Sequence, residues 1–127
     1  MQDFDRRVES LKVMDRAMIA NKRLADPDLI IEGCYIIWNM SIPLLKASTR
    51  SHTYKPFVSA AMALELINAN DNQLRVNLHL ELAKYEIKQD FLSKAVLQLK
   101  KCIEIDYSCT MKEVGIEMTD NDDPSNF

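Results

Sequence analysis

The sequence predicts an all-α fold of antiparallel helical hairpins stacked side by side as a solenoid segment. Three observations carry this. The 127 residues include only 2 glycines and 4 prolines, too little turn-forming material for many short strands. Apolar residues recur at helical spacing in five separate stretches. The breaks between most of these stretches are short and hold capping residues, so consecutive helices must run antiparallel.

The first helix is expected over residues 4–25, with Phe4, Val8, Leu11, Met14 and Met18 on one side and Arg6, Arg7, Glu9 and Arg16 opposite. "ADPD" at 25–28 ends it and starts the second. Asp26 can cap the new amino terminus, Pro27 suits its first turn, and Asp28 faces the positive end of the helix dipole. The second helix, residues 27–46, is apolar on most sides and so predicts cover from several neighbours. Trp38, Asn39, Pro43 and Leu44 are read as core-helix residues, with Pro43 kinking the last turn and the Ser41 hydroxyl satisfying freed backbone groups there.

"ASTRSHTYK", residues 47–55, is expected to be a polar loop. Pro56 then opens a third helix to residue 70, buried through Phe57, Ala60, Ala61, Leu64 and Ile67. Asp71 is a candidate cap for a fourth helix over 72–89, with stripes Val76, Leu80, Ala83, Ile87 and Leu74, Leu78, Leu82, Tyr85. Asp90 is a candidate cap for a fifth over 91–105, with Leu92, Val96, Leu99 and Ile103 inward and Lys94, Gln98 and Lys101 outward. One helical segment thus spans 1–107, followed by an acidic tail, 108–127, expected to be mostly disordered with one short ordered piece around Met111–Met118.

Composition excludes several classes. Residues 1–106 carry 15 Lys+Arg against 14 Asp+Glu, whereas 107–127 carry 1 against 5. The body is near neutral, which argues against a nucleic-acid binder. Cys34, Cys102 and Cys109 are odd in number and irregular in spacing, unlike a disulfide framework, so a reducing compartment is expected. The charged start "MQDFDRRVESLK" lacks the apolar block of a secretory signal. The most apolar run, 29–45, holds Glu32 and Asn39 and falls short of the roughly 20 apolar residues of a membrane span.

Residues 74–107 form a unit of 34 residues, helix, turn and helix, which is the period of a tetratricopeptide repeat. Leu82 and Ala83 stand at its large-then-small pair, Ala95 and Cys102 at small positions of the second helix, and Leu99 at a large one. His79 and Glu86 depart from the usual aromatic residues, and Tyr107 from the usual proline.

"LADPDLIIEGCYIIWNMSIPLL", "YKPFVSAAMALELI" and "LRVNLHLELAKYE" together resemble a segment of the large cilia- and flagella-associated tetratricopeptide scaffolds of the axonemal central apparatus. Trp38-Asn39, Pro43-Leu44-Leu45, Lys55-Pro56 and His79–Ala83 carry the resemblance, which covers about residues 24–106. It implies a non-enzymatic role in a large hetero-complex on a microtubule of the central pair, with neighbouring projection subunits as partners and calmodulin associated with the assembly. That family's proteins are far longer, and the tail after Tyr107 matches no part of the pattern. A cytosolic adaptor that binds a peptide or partner helix is the alternative with the same fold.

No constellation for catalysis or cofactor binding is evident. His52 sits among Ser48, Thr49 and Ser51 without a spaced partner and is read as solvated. His79 is read as a packing residue. No metal-ligand spacing connects the cysteines and histidines. Asp120, Asp122 and Asp123 lack the glycine and terminal glutamate of a calcium loop. "NMS" at 39–41, a glycosylation pattern, lies inside an apolar helix. Positive charge gathers at Lys46, Arg50, His52 and Lys55, a candidate partner-binding loop for acidic surfaces such as that of tubulin. Arg75, Lys94, Lys100 and Lys101 are read as dispersed, solvating charges. Apolar surface at the 1–25 and 91–106 helices is expected to meet neighbouring repeats.

Overall fold

The computed structural model describes residues 2–24 and 26–113. These residues form five α-helices and no strand: α1 Gln2–Leu24, α2 Pro27–Ser41, α3 Ser51–Leu66, α4 Asn72–Lys88 and α5 Leu92–Glu113. The all-helical prediction and the helical-repeat-like packing of consecutive helices hold. These helices divide into two compact units between Asn70 and Asp71, α1 to α3 in the first and α4 and α5 in the second.

The first unit packs α1, α2 and α3 against one another. Asp26 starts α2 as expected: its Oδ1 accepts from the backbone N–H of Asp28 at 3.1 Å and of Leu29 at 3.4 Å, with Pro27 at the first helical position. Arg7 Nη1 donates to the Met40 carbonyl at 3.1 Å, and a Cβ on Gly33 would lie 2.7 Å from Met18 Cε. The pairings of 7 with 40 and 18 with 33 make α1 and α2 antiparallel. Gly33 therefore lets the buried thioether of Met18 lie directly on the α2 backbone. Cys34 Sγ donates to the Ala60 carbonyl at 3.6 Å, and Trp38 stacks on Phe57 at 5.6 Å between centroids, so α2 and α3 are also antiparallel. Leu11, Met18, Ile30, Ile37, Phe57, Ala60 and Leu64 form this core.

Five expectations for this unit need correction. The second helix stops at Ser41 rather than residue 46 and tightens into a 3-10 turn, Ile42–Leu44. Pro43 has no N–H to continue the α ladder, so the helix ends where a kink was expected. The Ser41 hydroxyl is buried without a hydrogen-bond partner and does not repair the backbone there. The second helix is also not covered all round: Leu29, Tyr35, Ile36 and Ile42 are exposed. Of the expected core-helix residues, Leu44 is buried and Trp38 half-buried, but Asn39 and Pro43 face solvent. Finally, α3 begins five residues before Pro56, which lies inside the helix and is buried. Backbone bonds from Arg50 N–H to the Lys46 carbonyl and from Thr53 N–H to the Arg50 carbonyl already coil the chain before the proline. Its missing donor therefore costs a bond early in a helix already nucleated upstream.

The second unit is the α4–α5 hairpin. Its α4 carries the expected Leu74, Leu78 and Leu82 stripe. In the other predicted stripe Leu80 and Ile87 are exposed, and His79 and Glu86 are buried in their place. Asp71 stands at the α4 N-cap but makes no side-chain capping bond. The fifth helix runs Leu92–Glu113, past its expected end at 105. The expected helix end at residue 25, and the tail readings for residues 114–127, lie outside the described residues.

Both α3 and α4 close the same way. Asn68 and Asp90 have φ of 52° and 61°. Ala69 N–H bonds the Leu64 carbonyl and Asn68 N–H that of Glu65; Phe91 N–H bonds the Glu86 carbonyl and Asp90 N–H that of Ile87. These are paired six-to-one and five-to-two bonds around a left-handed residue, a Schellman close. Asp90 thus ends α4 rather than capping α5. An aspartate is disfavoured at positive φ, so Asp90→Gly is expected to stabilise the protein by about 0.5–1 kcal/mol. A higher urea midpoint at unchanged m-value would register it; a lower midpoint would contradict the assignment.

Candidate interaction surfaces

The four basic residues of the expected loop are distributed differently from that expectation. Lys46 lies in the α2–α3 connection, Arg50 at the N-cap of α3, and His52 and Lys55 on α3 itself. His52 and Lys55 are one helical turn apart and both exposed. The His52 ring packs edge-on against Phe4 of α1, 5.5 Å between centroids, which fixes this end of α3 beside α1. The cluster is thus a helix start with one lysine on the preceding turn, not a loop.

In the hairpin, Cys102 Sγ donates to the Val76 carbonyl at 3.7 Å, and His79 Nδ1 and Gln98 Oε1 are 2.6 Å apart. These pairs set the register: α4 and α5 run antiparallel with 76 beside 102 and 79 beside 98. Leu82, Ala83, Ala95 and Cys102 are buried. The two alanines have no side chain beyond Cβ to hold the helices apart.

Leu99 is not buried as expected, and neither is the row it belongs to. Leu92, Val96, Leu99 and Ile103 are 57%, 50%, 40% and 68% exposed, although they recur at a strict 3.6-residue spacing. The side of α5 that meets α4 instead carries Ala95, Gln98 and Cys102, with Ile105 buried one turn beyond Cys102. Gln98, expected outward, turns in because the buried His79 imidazole supplies the hydrogen bond that its amide requires.

Burial pushes the Cys102 thiol above its ordinary value, and the carboxylate of Asp106, one turn on, raises it further, while a backbone hydrogen bond works the other way. The folded state therefore holds this proton more tightly than the unfolded chain. Stability is expected to be insensitive to this group below about pH 9 and to fall as pH rises through the raised value. Cys102→Ser or Cys102→Ala should flatten that alkaline decline in urea titrations that extend above about pH 9.

Among the described residues no three His, Cys, Asp or Glu side chains converge on one point, and no helix is long and apolar enough to cross a membrane.

Sequence comparison adds a relative to this geometry. The chain is 30% identical over 100 residues, 79% of its length, to cilia- and flagella-associated protein 46 of Chlamydomonas reinhardtii. It resembles a segment of that protein. The matched region spans only 4% of the relative's own length. No family model matches the chain, and no solved structure does.

Proposed function

We propose that the chain is a structural, non-enzymatic scaffold segment of a ciliary axoneme, built as a tetratricopeptide-type array and contributing to a projection of the central apparatus. The similarity to cilia- and flagella-associated protein 46 over 79% of the chain carries this reading. Helices with exposed apolar rows on both units supply surface for protein contacts, as a scaffold requires. Its partners on this reading are other subunits of the projection, with calmodulin and tubulin as further members of the hetero-complex; its place is the cytoplasm and the cilium. The exposed Lys46, His52 and Lys55, with Arg50, suit an acidic partner such as the tubulin surface.

Crosslinking mass spectrometry on isolated axonemes tests the assignment. Crosslinks from Lys46 or Lys55 to central-apparatus subunits are expected; recovery of the protein only in the soluble fraction would refute it. Reversing Lys46, Arg50 and Lys55 to glutamate should reduce incorporation and weaken its salt dependence, and unchanged incorporation would remove that cluster from the interface.

A further inference from the structure

The exposed row on α5 does not stand alone. Around α4, Leu80 and Ile87 lie about 70° from the side that meets α5, taking about 100° per residue. Around α5, the row from Leu92 to Ile103 lies about 110° from the side that meets α4, in the same rotational sense seen from its own amino terminus. Because the helices are antiparallel, equal senses bring both rows to the same side of the hairpin. Leu80, Ile87, Leu92, Val96, Leu99 and Ile103, each at least 37% exposed, therefore make one apolar face with the inter-helix furrow along its middle. Exposed apolar surface of this continuity marks an interaction site.

The edges of the face say what it takes. Lys84 and Lys88 lie beyond Leu80 and Ile87 on the outer side of α4, and Lys100 lies beyond the apolar row on the outer side of α5; all three are exposed. Lys84 is held there by the largely buried Glu81, 3.0 Å away. The acidic Asp106 and Glu104 sit past Ile103 at the opposite end from the α4–α5 turn, where Lys101 meets Glu104 at 3.7 Å. Two parallel apolar ridges with a furrow between them fit the narrow apolar stripe of a helix. Lys84 and Lys88 on one outer edge and Lys100 on the other favour carboxylates on the flanks of that helix.

We infer that this face of the α4–α5 hairpin is a docking site for an amphipathic helix with acidic flanks. The inference rests on reading the chain as a protein-interaction segment but not on its axonemal location, so it can fail while the crosslinking result stands.

The test uses the full chain and three synthetic helical peptides of 18 residues. One has leucines at i, i+3, i+4 and i+7 with glutamates on both flanks, one has the same leucines with lysines, and one lacks the leucines. Fluorescence anisotropy at low salt should show binding of the glutamate-flanked peptide, roughly tenfold tighter than the lysine-flanked one, and none of the third. Val96→Ser with Ile103→Ser should abolish binding while leaving the helical circular dichroism intact, since both side chains are exposed. Lys84, Lys88 and Lys100 changed together to glutamate should invert the preference between the two leucine peptides. Equal binding of both leucine peptides, or binding of neither, would overturn the inference. So would concentration-dependent self-association of the chain that the Val96→Ser, Ile103→Ser variant removes, because the occupant would then be a second copy.

Discussion

Replacing Phe57 with alanine is expected to destabilise residues 1–70 by about 3–5 kcal/mol. Phe57 is 1% exposed and stacks on Trp38 at an interplanar angle of 26°. The substitution removes the largest fully buried side chain among the described residues and, with it, the ring that fixes the indole. Ala60 and Ala61, one helical turn on and also buried, have no length with which to fill the space left behind. A domain of this size has roughly 5–15 kcal/mol to lose, so most of its margin would go. Trp38 is the only tryptophan, and its fluorescence during urea unfolding reports this unit directly. A shift in stability below about 1 kcal/mol would contradict the packing described.

In the hairpin, Leu82→Ala is expected to cost about 2–5 kcal/mol and Ala83→Leu about 1–3 kcal/mol. Both residues are 2% exposed, but for opposite reasons. Leu82 fills volume, while Ala83 belongs to the side of α4 that α5 approaches closely. The double variant keeps the total side-chain volume yet should not recover stability. Neighbouring residues on a helix point about 100° apart, so the added bulk cannot enter the cavity. Thermal unfolding followed by circular dichroism at 222 nm decides this. A double variant as stable as the parent would mean the two sites share one pliable space.

Much of the fold can be read from local chemistry. Asp26-Pro27 fixes the start of α2 by capping and by a preset φ, both properties of the residues themselves. Pro56 misled because a proline early in a helix resembles one at its start; only the turn from Lys46 to Arg50 reveals that coiling is already under way. Orientation on α5 is another matter. Periodicity shows that Leu92, Val96, Leu99 and Ile103 form a row, but not which neighbour the row meets. The hairpin contact uses Ala95, Gln98 and Cys102, with Ile105 also buried, and the row from Leu92 to Ile103 is left exposed on another side of the helix. His79 and Glu86 depart from the repeat pattern by residue type, yet both are buried, with Gln98 turned inward to meet the imidazole. The candidate docking face was thus present in the sequence as a row of apolar residues, and it was the register of 76 with 102 and 79 with 98 that turned it outward.

The close seating of Met18 against Gly33 gives the first unit a chemical clock. Conversion of a thioether to its sulfoxide adds a polar oxygen, and the buried end of Met18 has the α2 backbone where that atom would need room. Met62, 55% exposed on α3, carries no such restriction and is expected to react with peroxide in the native protein. Met18 must wait until α1 lifts from α2. The ratio of the two oxidation rates therefore measures how often that helix leaves its neighbour, a free energy of local opening legible by mass in an unlabelled sample.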